Sequence, residues 1–522
     1  MSAANPPPPG TAPARVPPVK RFLWGLGGVT DTMMFQGVNG LVDQIYNIGM
    51  HISPVAISIA RGVPRFVDLL IDPLIGHLSD NTRSRWGRRR PWMFAGLVLG
   101  VLISILMWHV PQGDILAPSY VIGMMILFFT LAYSFFVIPY TAQGYELSTD
   151  YDERTHIFKW RQYAAAATGF LTPWLPALCI AIDQRVLGPD AKVTGAAHGI
   201  HWVSLGIGVI LILSALGPLL ACKESEGLHH QEEKVNLLDS FRFTFRNTAF
   251  WPLVGGNFFM KFCGSLTGIF FYYLMYYHMS GNDGAKGAAQ WGVFCNAINI
   301  ATFVAMYPVV GLVVRIGKKP AILGLMLLSA LAYASVWFTV RPDYTPGVAG
   351  VGESIKHALT IANPGTFGVI SNGWNGFIAI GATMWPALVT AAAIGIFCNS
   401  MPVIINSMLA DVCDVDELAC GKSRQAFYGA TFVTTDKIAM GIAMLLQGFL
   451  LQASGFITST DNAFVIQGEG TIHYWKVALL LTQPVGFLLG FACILLYPIT
   501  RAKAAETRRL LDARKAITNP TP

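Results

Sequence analysis

Twelve stretches of about 20 mostly apolar residues, the length a helix needs to cross a bilayer, dominate this chain and leave few folds open to it. They fall at roughly 22–46, 54–79, 92–110, 119–140, 160–183 and 202–222, then 250–277, 289–314, 319–339, 384–409, 425–453 and 474–498. Composition agrees: 53% of the residues are apolar and 12% charged, about half the charge of an ordinary soluble domain. At 522 residues, a soluble chain would form about three or four domains, and 36 Lys+Arg with 29 Asp+Glu cannot clothe that much surface. A soluble enzyme, a disordered scaffold and a nucleic-acid binder are thereby excluded. An all-α membrane protein with twelve transmembrane helices remains.

The net charge of +7 has a place in that picture. With the N-terminus inside, the inward loops and tails, counted with Arg161 and Lys319 at the adjoining span edges, hold 26 of the 36 basic residues and the outward loops five. That asymmetry predicts both termini in the cytoplasm of a cell-membrane protein, an inner membrane if the source is bacterial. The excess charge is a topology signal, so no nucleic-acid partner is expected. Residues 1–21 are Pro-rich and polar and read as a disordered cytoplasmic tail with no signal peptide. Residues 223–249 read as a cytoplasmic linker, 340–383 as a long Gly-rich external loop, and 499–522 as a cytoplasmic tail.

The chain repeats itself. Pro73-Leu74-Ile75-Gly76, then Asp80 and Arg89-Arg90-Pro91, returns as Pro308-Val309-Val310-Gly311, then Arg315 and Lys318-Lys319-Pro320. Pro139 before Asp150-Tyr151-Asp152-Glu153 returns as Pro402 before Asp414-Val415-Asp416-Glu417, at spacings of 263 and 264 residues. Two six-helix bundles in the same orientation, 22–222 and 250–498, are implied, which is the parallel-repeat pattern of the major facilitator fold.

Charge inside the apolar stretches carries the functional information, because an ionised group at the bilayer centre costs at least ~2.5–3.5 kcal/mol. Arg65, Asp68 and Asp72 lie on one face of the second stretch, within about 60° of one another. Arg65 can pair with Asp68 one turn away, which leaves Asp72 as a carboxylate whose charge depends on what binds beside it. A cation- or proton-coupled carrier needs such a group; a packing salt bridge would explain Arg65 and Asp68 alone. Lys437 either faces a cavity or pairs with its neighbour Asp436 or snorkels to the interface. Lys261 presents the same choice, and Asp31 is a candidate for a polar solute.

Other patterns carry less. The eight cysteines lack metal-site spacing, and Cys413 and Cys420 have no His partners nearby. Gly421-Lys422-Ser423 lacks the earlier glycine of a phosphate loop, where Asp416 stands, and it follows an apolar span instead of a strand. The run Phe270, Phe271, Tyr272, Tyr273, Tyr276 and Tyr277 reads as lipid or interface anchors, with one or two rings left for a cavity.

At these residues the sequence resembles the glycoside–pentoside–hexuronide:cation symporters, the melibiose permease-like family of the major facilitator superfamily. The likeness rests on Arg65-x-x-Asp68-x-x-x-Asp72-Pro73-x-x-Gly76-x-x-x-Asp80, followed by Arg83-Ser84-Arg85-Trp86-Gly87-Arg88-Arg89-Arg90-Pro91. It extends to Pro139-Tyr140 with Glu146, Asp150, Glu153, Arg154 and Arg161, and to Ala410-Asp411-x-x-Asp414-x-x-Glu417 with Gly421-Lys422-x-Arg424. The resemblance implies that Asp68 and Asp72 are cation-coupling carboxylates approached by Lys437. It implies substrate-binding roles for Arg161, for Asp31 (the family's first-span aspartate aligns at Thr30 or Asp31) and for Thr141, the last standing where the family has a tryptophan. Arg65, Asp80, Arg85, Arg89, Arg90, Glu146, Arg154, Asp411, Asp414, Glu417 and Arg424 take structural or gating roles.

Departures qualify it. Val137 stands for the family's third aspartate, Ile71 for an asparagine, and Pro402 for a second tryptophan. Sodium needs a shell of several oxygens whereas a proton needs one carboxylate, so the expected coupling ion is H+, with Na+ the alternative. The expected activity is symport of a sugar, glycoside or uronate by a monomer among membrane lipids, without cofactor, metal or enzymatic chemistry. A lysolipid carrier on the same fold and a non-transporting receptor are the competing readings.

Overall fold

A computed structural model describes residues 16–148, 151–187, 197–221, 247–281, 283–342, 353–354, 356, 368–420, 425–458 and 465–518. Among the described residues there is no strand. Helices occupy the twelve apolar stretches: α1 (18–49), α2 (Pro54–Asn81), α3 (Arg90–Leu106), α4 (Leu116–Glu146), α5 (151–187) and α6 (Gly199–Ala221), then α7 (Phe250–Met279), α8 (Gly284–Ile316), α9 (Lys318–Thr339), α10 (Trp385–Cys420), α11 (Gln425–Ala453) and α12 (Glu469–Leu495). A further helix, α13 (Arg501–Thr518), follows.

Nine helices among the described residues are long and apolar enough to span a membrane by length and composition. The other three differ for identifiable reasons. α3 has 17 residues, α2 carries Arg61, Arg65, Asp68 and Asp72 along its middle, and the apolar character of α1 is diluted by Thr30, Asp31, Gln36, Asn39, Asp43 and Gln44; π-helical turns also interrupt α1 at Met33–Gly37 and Asp43–Gly49. Further π-helical turns occur at Leu127–Tyr133 in α4 and Leu274–Met279 in α7. Such widened turns rotate the side chains that follow and are frequent at functional sites.

Local chemistry sets the helix ends. Pro91 stands in the first turn of α3, where its missing N–H costs nothing. The Asp283 side chain accepts from the Lys286 N–H at the start of α8, and Gly317 (φ 95°) makes the tight turn into α9. The chain becomes helical at Pro18, inside the stretch expected to be a tail. Glu153 is the reason: it accepts from the Val16 N–H at 3.0 Å and pairs with Arg21 at 2.8 Å. The expected C-terminal tail is likewise helical as α13, which buries Thr507 and Leu511. The end of the expected external loop is a helix, Gly368–Thr383; residues 343–352 and 357–367 of that loop, 223–246 of the linker and 1–15 of the tail lie outside the described residues.

The described residues form two compact units. Those of Met1–Val42, Val67–Leu175 and His198–Gln231 make the first, and those of Asp43–Phe66, Pro176–Ala197 and Glu232–Pro522 the second. The division falls between residues 231 and 232, inside 223–249, and also passes through α1, α2 and α5. Within the second unit, segment 43–66 is tied to α7: the Tyr272 hydroxyl donates to Gln44 and the Tyr273 hydroxyl to Asn47 Oδ1 at 2.5 Å. That corrects the reading of the α7 aromatic run as lipid anchors. All six rings are buried, and a buried tyrosine needs a partner for its hydroxyl, which α1 supplies for two of them.

Candidate functional site

In the first unit, the close approach of α1 to α5 builds a polar cluster. A side chain at Gly28 would meet the backbone of Arg161, its Cβ 2.5 Å from the carbonyl oxygen, and Gly27 leaves room for the Tyr140 ring. Helices that meet through small residues approach closely. One turn beyond Gly28, Asp31 Oδ2 accepts from Arg161 Nη2 at 2.9 Å. Asp31 Oδ1 accepts from the Tyr133 hydroxyl at 3.0 Å, and the Arg161 guanidinium lies over the Tyr140 ring, 5.2 Å from its centroid. The pair retains about a fifth of its side-chain surface, 21% for Arg161 and 19% for Asp31. It is therefore a cluster open on one side, with hydrogen-bonding capacity left for a guest.

Asp72 is held beside it by the same stretch of α4. Its Oδ1 accepts from the Ser134 hydroxyl at 2.9 Å. Tyr133 and Ser134 are consecutive residues at the exit of the π-helical turn Leu127–Tyr133. About 100° apart on the helix, they reach different neighbours, Tyr133 the Asp31 of α1 and Ser134 the Asp72 of α2. Asp68 is buried one turn before Asp72, and Thr141 is half-buried one residue beyond Tyr140. Among the described residues, Thr141 makes no side-chain hydrogen bond. Arg65 and Lys437 belong to the second unit. There Arg65 is buried, and Lys437 is half-buried next to Asp436, which accepts from Asn257 and lies in the field of Lys261.

The loop residues gather into ion-pair clusters that repeat between the units. In the first, Arg89 bridges Asp80 (2.9 Å) and Glu146 (2.8 Å), and Arg88 also reaches Glu146. Arg90 donates to the Leu220 carbonyl at the end of α6. In the second, Lys318 pairs with Asp411 at 2.7 Å, and Lys319 donates to the Leu495 carbonyl at the end of α12. Each unit thus uses the first basic residue for a carboxylate and the second for the open carbonyls of its last helix. Arg85 is exposed and forms no ion pair among the described residues. Asp414 and Glu417 are half-buried on the last turns of α10. The Arg154 side chain and Arg424 lie outside what is described.

One pair escaped the sequence reading. Asp43 accepts from Arg61 Nη2 at 2.8 Å, with both side chains about a tenth exposed. The signal was present: Asp43 is an acid in the first apolar stretch, and Arg61 a base in the second. A buried ion needs a counter-ion, so each predicts the other.

Comparison with known proteins meets this picture from outside. An uncharacterized symporter of Synechocystis sp. is 25% identical over 87% of this chain and 89% of its own. The isoprimeverose transporter of Lactiplantibacillus pentosus is 24% identical, over 97% and 94% of the two chains. A glucuronide carrier protein homolog of Escherichia coli is 23% identical, over 87% and 86%. Among solved structures, a bacterial homolog of the human lysosomal transporter Spinster, inward-facing and unoccupied, matches with a TM-score of 0.59 at 13% identity, covering 95% of this chain and 98% of that one. A D-xylose-proton symporter matches with a TM-score of 0.52 at 15% identity, covering 93% and 98%. Both share the major facilitator fold. The sequence profile of the MFS/sugar transport proteins covers residues 23–501, and the chain belongs to that family, as a major facilitator of the glycoside–pentoside–hexuronide:cation symporter kind.

Proposed function

We propose that the protein carries a sugar, glycoside or sugar acid across the cell membrane together with a proton, as a monomer with both termini in the cytoplasm. Arg161 and Asp31 are the solute-binding pair, with Thr141 at its edge, and Asp72 is the coupling carboxylate, with Asp68 beside it. One observation carries the reading: consecutive residues Tyr133 and Ser134 donate to Asp31 and to Asp72. A short helical stretch therefore registers both the occupancy of one acid and the charge of the other. A guest that draws Arg161 or Tyr133 away from Asp31 turns that stretch of α4, and Ser134 with it. Protonation of Asp72 removes the charge that Ser134 solvates and releases the stretch from the other side. Loading both lowers the cost of moving the site through the dry membrane core; loading one leaves a charge or a guest stranded.

Reconstituted vesicles test this with radiolabelled xylosides, galactosides and glucuronides under an imposed pH or sodium gradient. The expected result is uphill uptake driven by an inward proton gradient. Asp72→Asn abolishes accumulation while counterflow exchange continues, because exchange needs no net proton movement. Ser134→Ala retains uptake but shifts its pH profile. Full accumulation by Asp72→Asn removes the coupling assignment, and uptake that follows sodium at constant pH replaces the proton with Na+.

A further inference from the structure

Three span ends meet in the second unit: the last turn of α8, the first turn of α9 and the residues leaving α12. Between them and the start of α13 lies a groove of about 390 Å³. One wall is apolar, with Val313, Val314 and Ile316, and part of it faces outward, Val314 being 64% and Ile316 49% exposed. The other wall holds Lys319, Thr500 and Arg501. Lys318 also lines the groove but is neutralised by Asp411 at 2.7 Å. Lys319 has two of its three donors on the Leu495 and Tyr497 carbonyls, at 2.9 and 2.7 Å. Arg501 spends one N–H on the Arg315 carbonyl at 3.0 Å. Among the described residues neither Lys319 nor Arg501 has a carboxylate partner, so two positive charges converge on one groove with donors to spare.

The placement states what would fill it. The apolar wall continues an exposed apolar face of α8 that includes Phe303, Val304, Tyr307 and Val310, and the cations begin where the spans end, which is the depth of lipid headgroups. A basic pocket between transmembrane helices on the cytoplasmic side suits an anionic lipid head. Gly317, with its φ of 95°, makes the turn that sets Lys318 and Lys319 side by side, and α13 supplies Arg501 from beyond the last span. We infer that this groove seats one anionic phospholipid of the inner leaflet, its phosphate between Lys319 and Arg501 and one acyl chain along Val313, Val314 and Ile316. The inference rests on the membrane orientation proposed above, not on the solute or the coupling ion.

The test uses the purified full chain in detergent, with native mass spectrometry to count bound lipid and thermal melts to read stability. Phosphatidylglycerol is compared with phosphatidylcholine of the same acyl chains and with inorganic phosphate. The expected result is selective retention of phosphatidylglycerol and a raised melting temperature. Lys319→Gln and Arg501→Gln each weaken that retention about fivefold, and the double variant about 25-fold, the worth of one interfacial charge each. Lys319→Arg and Arg501→Lys keep it, as does Lys286→Gln at an unrelated exposed position. Because lipid binding is read without transport, the outcome is the same whether the carrier proves inactive or sodium-driven. Equal retention of phosphatidylcholine, a full shift from inorganic phosphate alone, or undiminished binding in the double variant overturns the inference.

Discussion

Arg161 shows what a single residue contributes here. It is held by Asp31, cushioned on Tyr140, and still a fifth exposed, so a guest can take over part of its hydrogen bonding. A hydrogen bond to a charged group is worth ~1.5–3 kcal/mol. Arg161→Gln should therefore weaken solute binding by ~10- to 150-fold, as isothermal titration with the transported solute would record. A loss of fold in place of a loss of affinity would make the pair structural. Both members were legible in the sequence as polar groups in apolar stretches, but their meeting was not. They stand 130 residues apart, and nothing in a single sequence says which face of α1 looks at α5. Asp43 and Arg61 were each readable by the same signal and went unjoined for the same reason.

At the scale of elements, the helices were legible because bilayer length and apolarity are written into composition, whereas their irregularities were not. The π-helical turns have no composition of their own; the residues Leu127–Tyr133 would serve equally well in a regular helix. Yet that turn aims Tyr133 and Ser134 at two different acids. The buried α7 tyrosines were misread because an aromatic run near a span end has two common fates, and only the partners Gln44 and Asn47 decide between them. The glycines of α1 are the clearest element-level device. Gly28→Val should force α1 off α5, costing about 1–3 kcal/mol of overpacking, and should separate Asp31 from Arg161. The measurement is a lower melting temperature together with lost solute binding. Gly123→Ala, on α4 where nothing lies within 4 Å of an added Cβ, should be neutral or mildly stabilising by comparison. Equal damage at both positions would mean that helix flexibility, not close packing, is what the glycines provide.

For the whole molecule, the repeat was legible because its loops carry charge in a fixed order, and Arg89 with Arg90 finds its counterpart in Lys318 with Lys319 down to the carbonyls each second residue caps. Less legible was the grouping of 43–66 with the second unit, which depends on small residues at helix crossings. Gly62 packs against Leu445, Gly441 against Arg65 and Phe66, and Gly448 against Pro54 and Ser58. With the termini in the cytoplasm, as proposed above, this seam between the start of α2 and α11 would lie at the outer end of both helices, where an alternating-access cycle would part and re-form it. A bulky residue in it should hold it open. Gly448→Trp places an indole where a Cβ already meets the Pro54 backbone, so closure is blocked while Arg161, Asp31 and Asp72 are untouched. Uphill uptake and exchange should both fall to background, solute binding should persist, and a cysteine reporter at Ser58, buried in the native chain, should react with a membrane-impermeant maleimide several-fold faster from outside. If the reporter's labelling rate is unchanged while transport is lost, the seam is a static packing feature and the moving boundary lies elsewhere in the molecule.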